Sequence, residues 1–201
     1  MSGLVGEIID TVKEVMALPG ASISDWDGPV LPYNKWDVLH SSKKQDWQTP
    51  LELFSKVNEI FQFTLDCASQ EENRMCRCYR SAESPAEWNA DNEVALWLNP
   101  PFSPTKLCRS LVEDVISKAE ISEIPAVILL PARTDTKLWN EVIFRKCVVW
   151  FLGGRLTFVG APAPAPFPTA LCVAGPMTDV QMAALVDLSR ELGGTICCMI
   201  S

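Results

Sequence analysis

A chain of 201 residues with 48% hydrophobic residues is long enough to bury one sizeable core. A formal net charge of −8 excludes a protein that coats nucleic acid non-specifically, because phosphate neutralisation by Lys and Arg supplies most of that affinity. No apolar run is long enough to span a bilayer, and the amino terminus leads into acidic residues rather than a basic signal head, so a soluble, cytoplasmic protein without membrane contact is expected.

Residues 3–17 place Leu4, Val5, Ile8, Ile9, Val12, Val15 and Met16 on one helical face, and Pro19-Gly20 ends the pattern. From Ala21 to Gln45 the run is polar and punctuated by Asp27-Gly28 and Leu31-Pro32, which reads as an irregular connector. Residues 1–43 are therefore taken as an appendage and 44–201 as the main domain. Thr49-Pro50-Leu51-Glu52 carries a capping-box pattern with proline at the first helical position, which predicts a helix from about Pro50 to Ile60.

Strands are predicted at Phe61–Leu65, Val94–Leu98, Ile124–Leu130, Cys147–Leu152, Leu156–Val159, Ala170–Ala174 and Thr195–Ile200, from apolar and β-branched runs bounded by Gly, Pro and Asn. Helices are predicted at Pro104–Lys118, Thr136–Phe144 and Asp179–Leu192, the last opened by a second capping box, Thr178 to Gln181. Alternation of strand and helix implies an α/β three-layer sandwich with about seven strands. Gly153-Gly154 and the Ala/Pro-rich stretch 161–168 interrupt it and suggest a mixed sheet with an antiparallel end.

The eight cysteines lie mostly in apolar runs, as Cys147 and Cys172 do, the usage of a small buried hydrophobe in a reducing compartment. Cys76 and Cys78, with Cys67 and the single His40, match no common zinc spacing, so no metal is expected.

Chemistry concentrates in Leu96-Trp97-Leu98-Asn99-Pro100-Pro101-Phe102, where a buried strand ends in a polar, proline-stiffened, aromatic tetrapeptide. Ligands of open α/β sheets bind at that carboxyl edge. The Asn99 side-chain oxygen and the Pro100 carbonyl are two acceptors able to hold an amino group, Pro101 stiffens the backbone between them and Phe102 offers a flat face for stacking. Taken alone, the same four residues serve equally as a turn into the next helix, with Ser103 capping and Pro104 at its first position.

Six blocks occur in order: Asp46-Trp47-Gln48-Thr49-Pro50, Phe63-Thr64-Leu65-Asp66, Asn99-Pro100-Pro101-Phe102, Leu130 to Thr136, Gly154 to Phe158, and Ala165-Pro166-Phe167-Pro168. Together they resemble the phage-type DNA N-6-adenine methyltransferases related to Dam methylases, over about residues 44–175; residues 1–43 resemble nothing nameable. The resemblance implies a Rossmann-like fold of the class I S-adenosylmethionine-dependent methyltransferase type, S-adenosyl-L-methionine as methyl donor, DNA as partner, and a host-cell cytoplasmic location if the gene is phage-borne.

By the same resemblance Asn99, Pro100, Pro101 and Phe102 form the catalytic motif. Thr49, Pro50, Asp66, Cys67, Ala68, Asn73 and Asn99 lie against the donor. Adenine's amino nitrogen is a poor nucleophile because its lone pair is delocalised into the ring; acceptors on both amino hydrogens draw that pair out, and Phe102 stacks the extruded base. Lys106, Arg133, Lys137 and Arg155 are the expected DNA contacts, although an Arg133–Asp135 pair that merely shapes a turn fits that stretch equally. Asp66-Cys67-Ala68-Ser69 replaces the glycine-rich turn that general methyltransferases place after the first strand. An RNA base or a protein amide as acceptor, or an inactive binding homologue, are the competing readings.

Overall fold

The computed structural model describes residues 47–83 and 88–198; the expected helix over 3–17, the connector, His40 and the domain boundary near Lys44 lie outside them. Helix α1, Leu51–Phe61, buries Leu53, Phe54, Val57 and Phe61 on one face. Strands β1 (Leu65–Asp66), β2 (Cys78–Tyr79) and β3 (Leu96–Leu98) follow, then helix α2 (Thr105–Ile121) and strand β4 (Ala126–Pro131). A π-helical turn, Trp139–Ile143, runs into the short helix α3, Phe144–Lys146, and on into β5 (Cys147–Leu152); β6 (Thr169–Ala174), α4 (Asp179–Leu192) and β7 (Gly194–Cys197) complete the described order.

The seven strands form one mixed sheet in the order β2-β1-β3-β4-β6-β5-β7. β2, β1, β3 and β4 are parallel, with Leu65 opposite both Cys78 and Leu96, and Leu96 opposite Ala126. β6 is antiparallel to β4 and to β5, and β7 is antiparallel to β5. β1 to β5 therefore all point one way, and only β6 and β7 oppose them, which is the mixed sheet with an antiparallel end that the sequence implies, of the Rossmann-like methyltransferase kind.

Side chains alternate between the two faces, as strand geometry requires. Leu96, Leu98, Ala126, Ile128, Leu130, Ala170 and Cys172 pack towards α2 and the π-helical turn. Trp97, Val127, Leu129, Leu171 and Val173 pack towards α1 and α4, around the rings of Phe54, Phe61 and Phe63. These are the three layers.

Several elements differ from expectation. Phe61–Leu65 is not a strand: the helix runs through Phe61, Gln62 turns it off at φ 56° with its N–H on the Asn58 carbonyl, and pairing begins only at Leu65. The Phe61 and Phe63 rings stack on each other at 5.8 Å, and Phe63 sits 5.3 Å from Trp97, so their spacing records ring packing rather than strand alternation. Leu156–Val159 is no strand either; only Val159 makes a bridge, to Gln48. β2 is not expected from the sequence, because Cys78 and Tyr79 are both exposed in a polar, basic stretch without an apolar pattern.

The two capping-box patterns part company. At α4 the box forms, with the Thr178 hydroxyl accepting from the Gln181 N–H and the Gln181 side chain accepting from the Thr178 N–H. At α1 it does not: Pro50 occupies the cap position with no side-chain bond, and Thr49 has another partner. Among the described residues no helix is long and apolar enough to cross a membrane. Loss of the formed box in Thr178→Ala is expected to lower stability by about 1 kcal/mol in urea unfolding, with an unchanged m-value.

Candidate active site

Because β1, β3, β4 and β5 share a direction, their carboxyl ends lie along one edge of the sheet, where Asp66 ends β1, Asn99 follows β3, Arg133 follows β4 and Arg155 follows β5. A cleft of about 470 Å³ opens there and is lined by both Asp66 and Asn99. That size suits a small-molecule ligand.

Asn99 is held by its amide nitrogen. Nδ2 donates to the Trp47 backbone carbonyl and to the Thr49 hydroxyl, the latter at 3.2 Å. Both amide hydrogens are thereby engaged, and the buried Oδ1 is left without a hydrogen-bond partner. A buried acceptor in that condition costs about 1–3 kcal/mol unless a ligand satisfies it. Pro100 and Pro101 also line the cleft.

Asp66 is 3% exposed. Its carboxylate accepts from the Met75 N–H at 2.9 Å and the Ala68 N–H at 3.3 Å. Burial nevertheless pushes its pKa above the ordinary 3.8, the two backbone N–H groups offsetting only part of the desolvation. The cleft lining adds Glu72 and Glu83 and contains no Lys or Arg among the described residues, so its charge is wholly acidic. The indole N–H of Trp97, another lining residue, is buried and unpartnered.

Of the remaining expected donor contacts, Thr49, Ala68 and Asn73 line the cleft. Asn73 Oδ1 accepts from the Gln70 N–H at 2.7 Å, which shapes the turn before Met75. Cys67 points away, into the opposite core layer with Leu65 and Leu96, because it follows Asp66 with the alternation of an extended chain. Pro50 lines a separate hollow of about 300 Å³ that also contains Arg155. Phe102 does not line the cleft: at 9% exposure its ring lies edge-on to Phe158 and Phe167, 6.1 and 5.8 Å away. The member of that aromatic group that lines the cleft is Trp47, whose ring lies 5.1 Å from Phe158 and 5.6 Å from Phe167. Trp47, Ser69 and Trp97 were not singled out as site residues; the first stands in a family block and the second continues the Asp66 turn, whereas Trp97 reads as an ordinary core aromatic.

Lys106, Arg133, Lys137 and Arg155 are exposed and make no ion pair among the described residues. Lys106 sits in the first turn of α2, and Arg133 and Lys137 in the segment after β4, where Arg133 rests 6.0 Å over the Phe167 ring. The Arg133–Asp135 pair weighed from sequence does not form; Thr136 closes that turn by donating to the Arg133 carbonyl from both its N–H and its hydroxyl. Arg109 is committed to Glu113 and Glu141, both at 2.9 Å.

Among the described cysteines no disulfide forms, and Cys78, Cys197 and Cys198 are exposed rather than buried. Burial pushes the Cys108 thiol to about 11 and Cys147 to about 12, far from a reactive thiolate at neutral pH. No His, Cys, Asp and Glu cluster suited to a metal occurs among the described residues.

Residues 37–167 match the family model of the DNA N-6-adenine-methyltransferase (Dam) family. A protein of Escherichia phage T1 named DNA N-6-adenine-methyltransferase is 30% identical over 99 residues, covering 47% of this chain and 39% of that relative's length.

Asp66 holds its proton to higher pH in the folded than in the unfolded protein, so its contribution to stability is present at low pH and is lost as pH rises from about 3.8 through the raised folded value. Urea midpoints measured across that window are expected to fall less steeply with pH in Asp66→Asn than in the native protein.

Proposed function

The chain belongs to the DNA N-6-adenine-methyltransferase (Dam) family, and we propose that it moves a methyl group from S-adenosyl-L-methionine to the N6 amino group of adenine in DNA. The observation that carries this reading is the buried, partnerless Oδ1 of Asn99, a residue that lines the same cleft as the buried Asp66. The alignment to the phage T1 relative spans well under two thirds of that protein, so the reading rests on the site as much as on the likeness.

The residues present suit the donor. A cleft lined by Asp66, Glu72 and Glu83, with no basic side chain among the described residues, favours a cationic ligand and disfavours a phosphate. Asp66 accepts an ammonium or hydroxyl hydrogen, the Trp97 indole N–H gives a donor, and Ala68 leaves room for close approach. When bound, the donor supplies an electrophilic methyl group on a sulfonium.

The chain's own work is positioning. Asn99 Oδ1 and the Pro100 carbonyl accept the two hydrogens of the adenine amino group, which makes the nitrogen lone pair available in the direction of the cleft. The base has to leave the duplex to arrive there, and stacking offsets extrusion by about 1–3 kcal/mol. Phe102 is the proposed platform; because its ring is packed against Phe158 and Phe167, the base meets the edge of this aromatic group, with Trp47 completing the wall. Lys106, Arg133, Lys137 and Arg155 are the DNA-facing cations, all beyond the acidic cleft.

The test is to offer methyl-labelled donor with DNA, RNA or a glutamine-containing peptide in parallel. Label is expected in DNA alone, as N6-methyladenine; label in RNA or peptide, or bound donor with no transfer at all, overturns the reading. Asn99→Ala is expected to reduce turnover by about 10²–10³-fold, the usual cost of removing one preorganised hydrogen-bonding group, with an unchanged thermal melt. Arg133→Ala and Lys137→Ala are each expected to weaken DNA binding whatever its sequence and to reduce the slope of log K against log salt by about one, measured by fluorescence anisotropy.

A further inference from the structure

We propose that Thr49 is a positioning residue which, with the Trp47 carbonyl, holds the Asn99 amide with Nδ2 bound to the protein and Oδ1 left unpartnered. The inference rests on the reading of Asn99 Oδ1 as the acceptor for the adenine amino group. An amide's oxygen and nitrogen ends are nearly alike in size, so packing alone selects poorly between them. Hydrogen-bond chemistry does select. The Trp47 carbonyl can only accept, so it selects Nδ2 and takes one of its hydrogens; the Thr49 hydroxyl, able to donate or accept, accepts the other at 3.2 Å and secures that orientation. Turning the amide over would set Oδ1 against the Trp47 carbonyl and present an NH2 group to the incoming amine, donor against donor.

Thr49 is 3% exposed, so water cannot readily replace its hydroxyl. Its segment is itself held: the Val159 N–H donates to the Gln48 carbonyl at 3.0 Å, and the Trp47 ring packs on Phe158 and Phe167. The capping role that the sequence suggests for Thr49 is not used, because its hydroxyl is turned to Asn99 instead of to α1. A direct donor contact, the role the family resemblance implies, would make loss of the hydroxyl a loss of donor affinity. Positioning of Asn99 makes it a loss of turnover.

The experiment compares Thr49→Val, which keeps the branched shape and removes the acceptor, with Thr49→Ser, which keeps the acceptor. Thr49→Val is expected to lower kcat about tenfold or more, as befits a misoriented transition-state contact, with calorimetric affinity for S-adenosyl-L-homocysteine within about twofold of native. Thr49→Ser is expected to recover most of the lost turnover. Independently of activity, the Asn99 side-chain amide protons, assigned by their disappearance in Asn99→Ala, should exchange slowly with water in the native protein and much faster in Thr49→Val. Native-like turnover in Thr49→Val, a fall in donor affinity with kcat preserved, or equal exchange in the two proteins overturns the proposal. Protected amide protons freed by Thr49→Val in a protein that methylates nothing would support the pinning and overturn the methyltransferase reading separately.

Discussion

The site depends on one side chain held by its wrong-looking end. Asn99 gives both amide hydrogens to the protein, to the Trp47 carbonyl and the Thr49 hydroxyl, and keeps a buried oxygen unsatisfied. A fold does not ordinarily leave such an atom, since it costs about 1–3 kcal/mol for no structural return. A ligand that brings an N–H to it recovers that energy on binding, which is how a preorganised acceptor favours one orientation of an amine over another. The family blocks make sense around it. Trp47 to Thr49 hold the amide, Phe158 and Phe167 hold Trp47, and the Ala132 N–H donates to the Pro168 carbonyl at 2.8 Å, tying the segment after β4 to the same group.

Charge is divided with equal economy. A chain of net charge −8 is a poor general ligand for DNA, and part of its acidity is gathered in the cleft, which Asp66, Glu72 and Glu83 line. Among the described residues no Lys or Arg lines that cleft. Several cations are neutralised locally, as Arg109 is by Glu113 and Glu141 and Lys146 by Glu120, while Lys106, Arg133 and Lys137 are exposed on the segments that follow β3 and β4 and make no ion pair among the described residues. Acidic and basic side chains thus occupy separate stretches of one sheet edge.

The sequence makes the layered sheet legible because its central strands are buried on both sides: β4 and β6 are apolar runs with every residue buried, and such runs announce themselves. The antiparallel end is announced by the glycine and proline interruptions. Short or peripheral strands are not legible, since β2 carries no burial pattern and β1 is only two residues long. Side-chain allegiance is the other blind spot. Thr49 and Thr178 head the same four-residue pattern, and nothing local distinguishes the one that caps its helix from the one that turns to a residue fifty positions away. Phe102 meets the same limit: an aromatic after a strand end reads as an open platform, and only tertiary structure reveals that its ring is packed edge-on against Phe158 and Phe167.

What aligns the two halves of the site is strand register. Asp66 lies directly opposite Trp97 in the parallel β1–β3 pair, and both side chains occupy the face towards α1. Asn99 stands two residues beyond Trp97, which returns it to that same face about 7 Å further along the strand direction. A slip of one residue would send Asn99 to the opposite layer and separate it from Asp66 altogether. The register is set away from the chemistry, by Leu65 and Leu96 packed in the layer beneath, and by the Cys67 N–H on the Trp97 carbonyl at 2.8 Å. Cys67 therefore serves the site through its backbone while its thiol stays in the core, which explains how a residue pointing away from the cleft belongs to the turn that builds it.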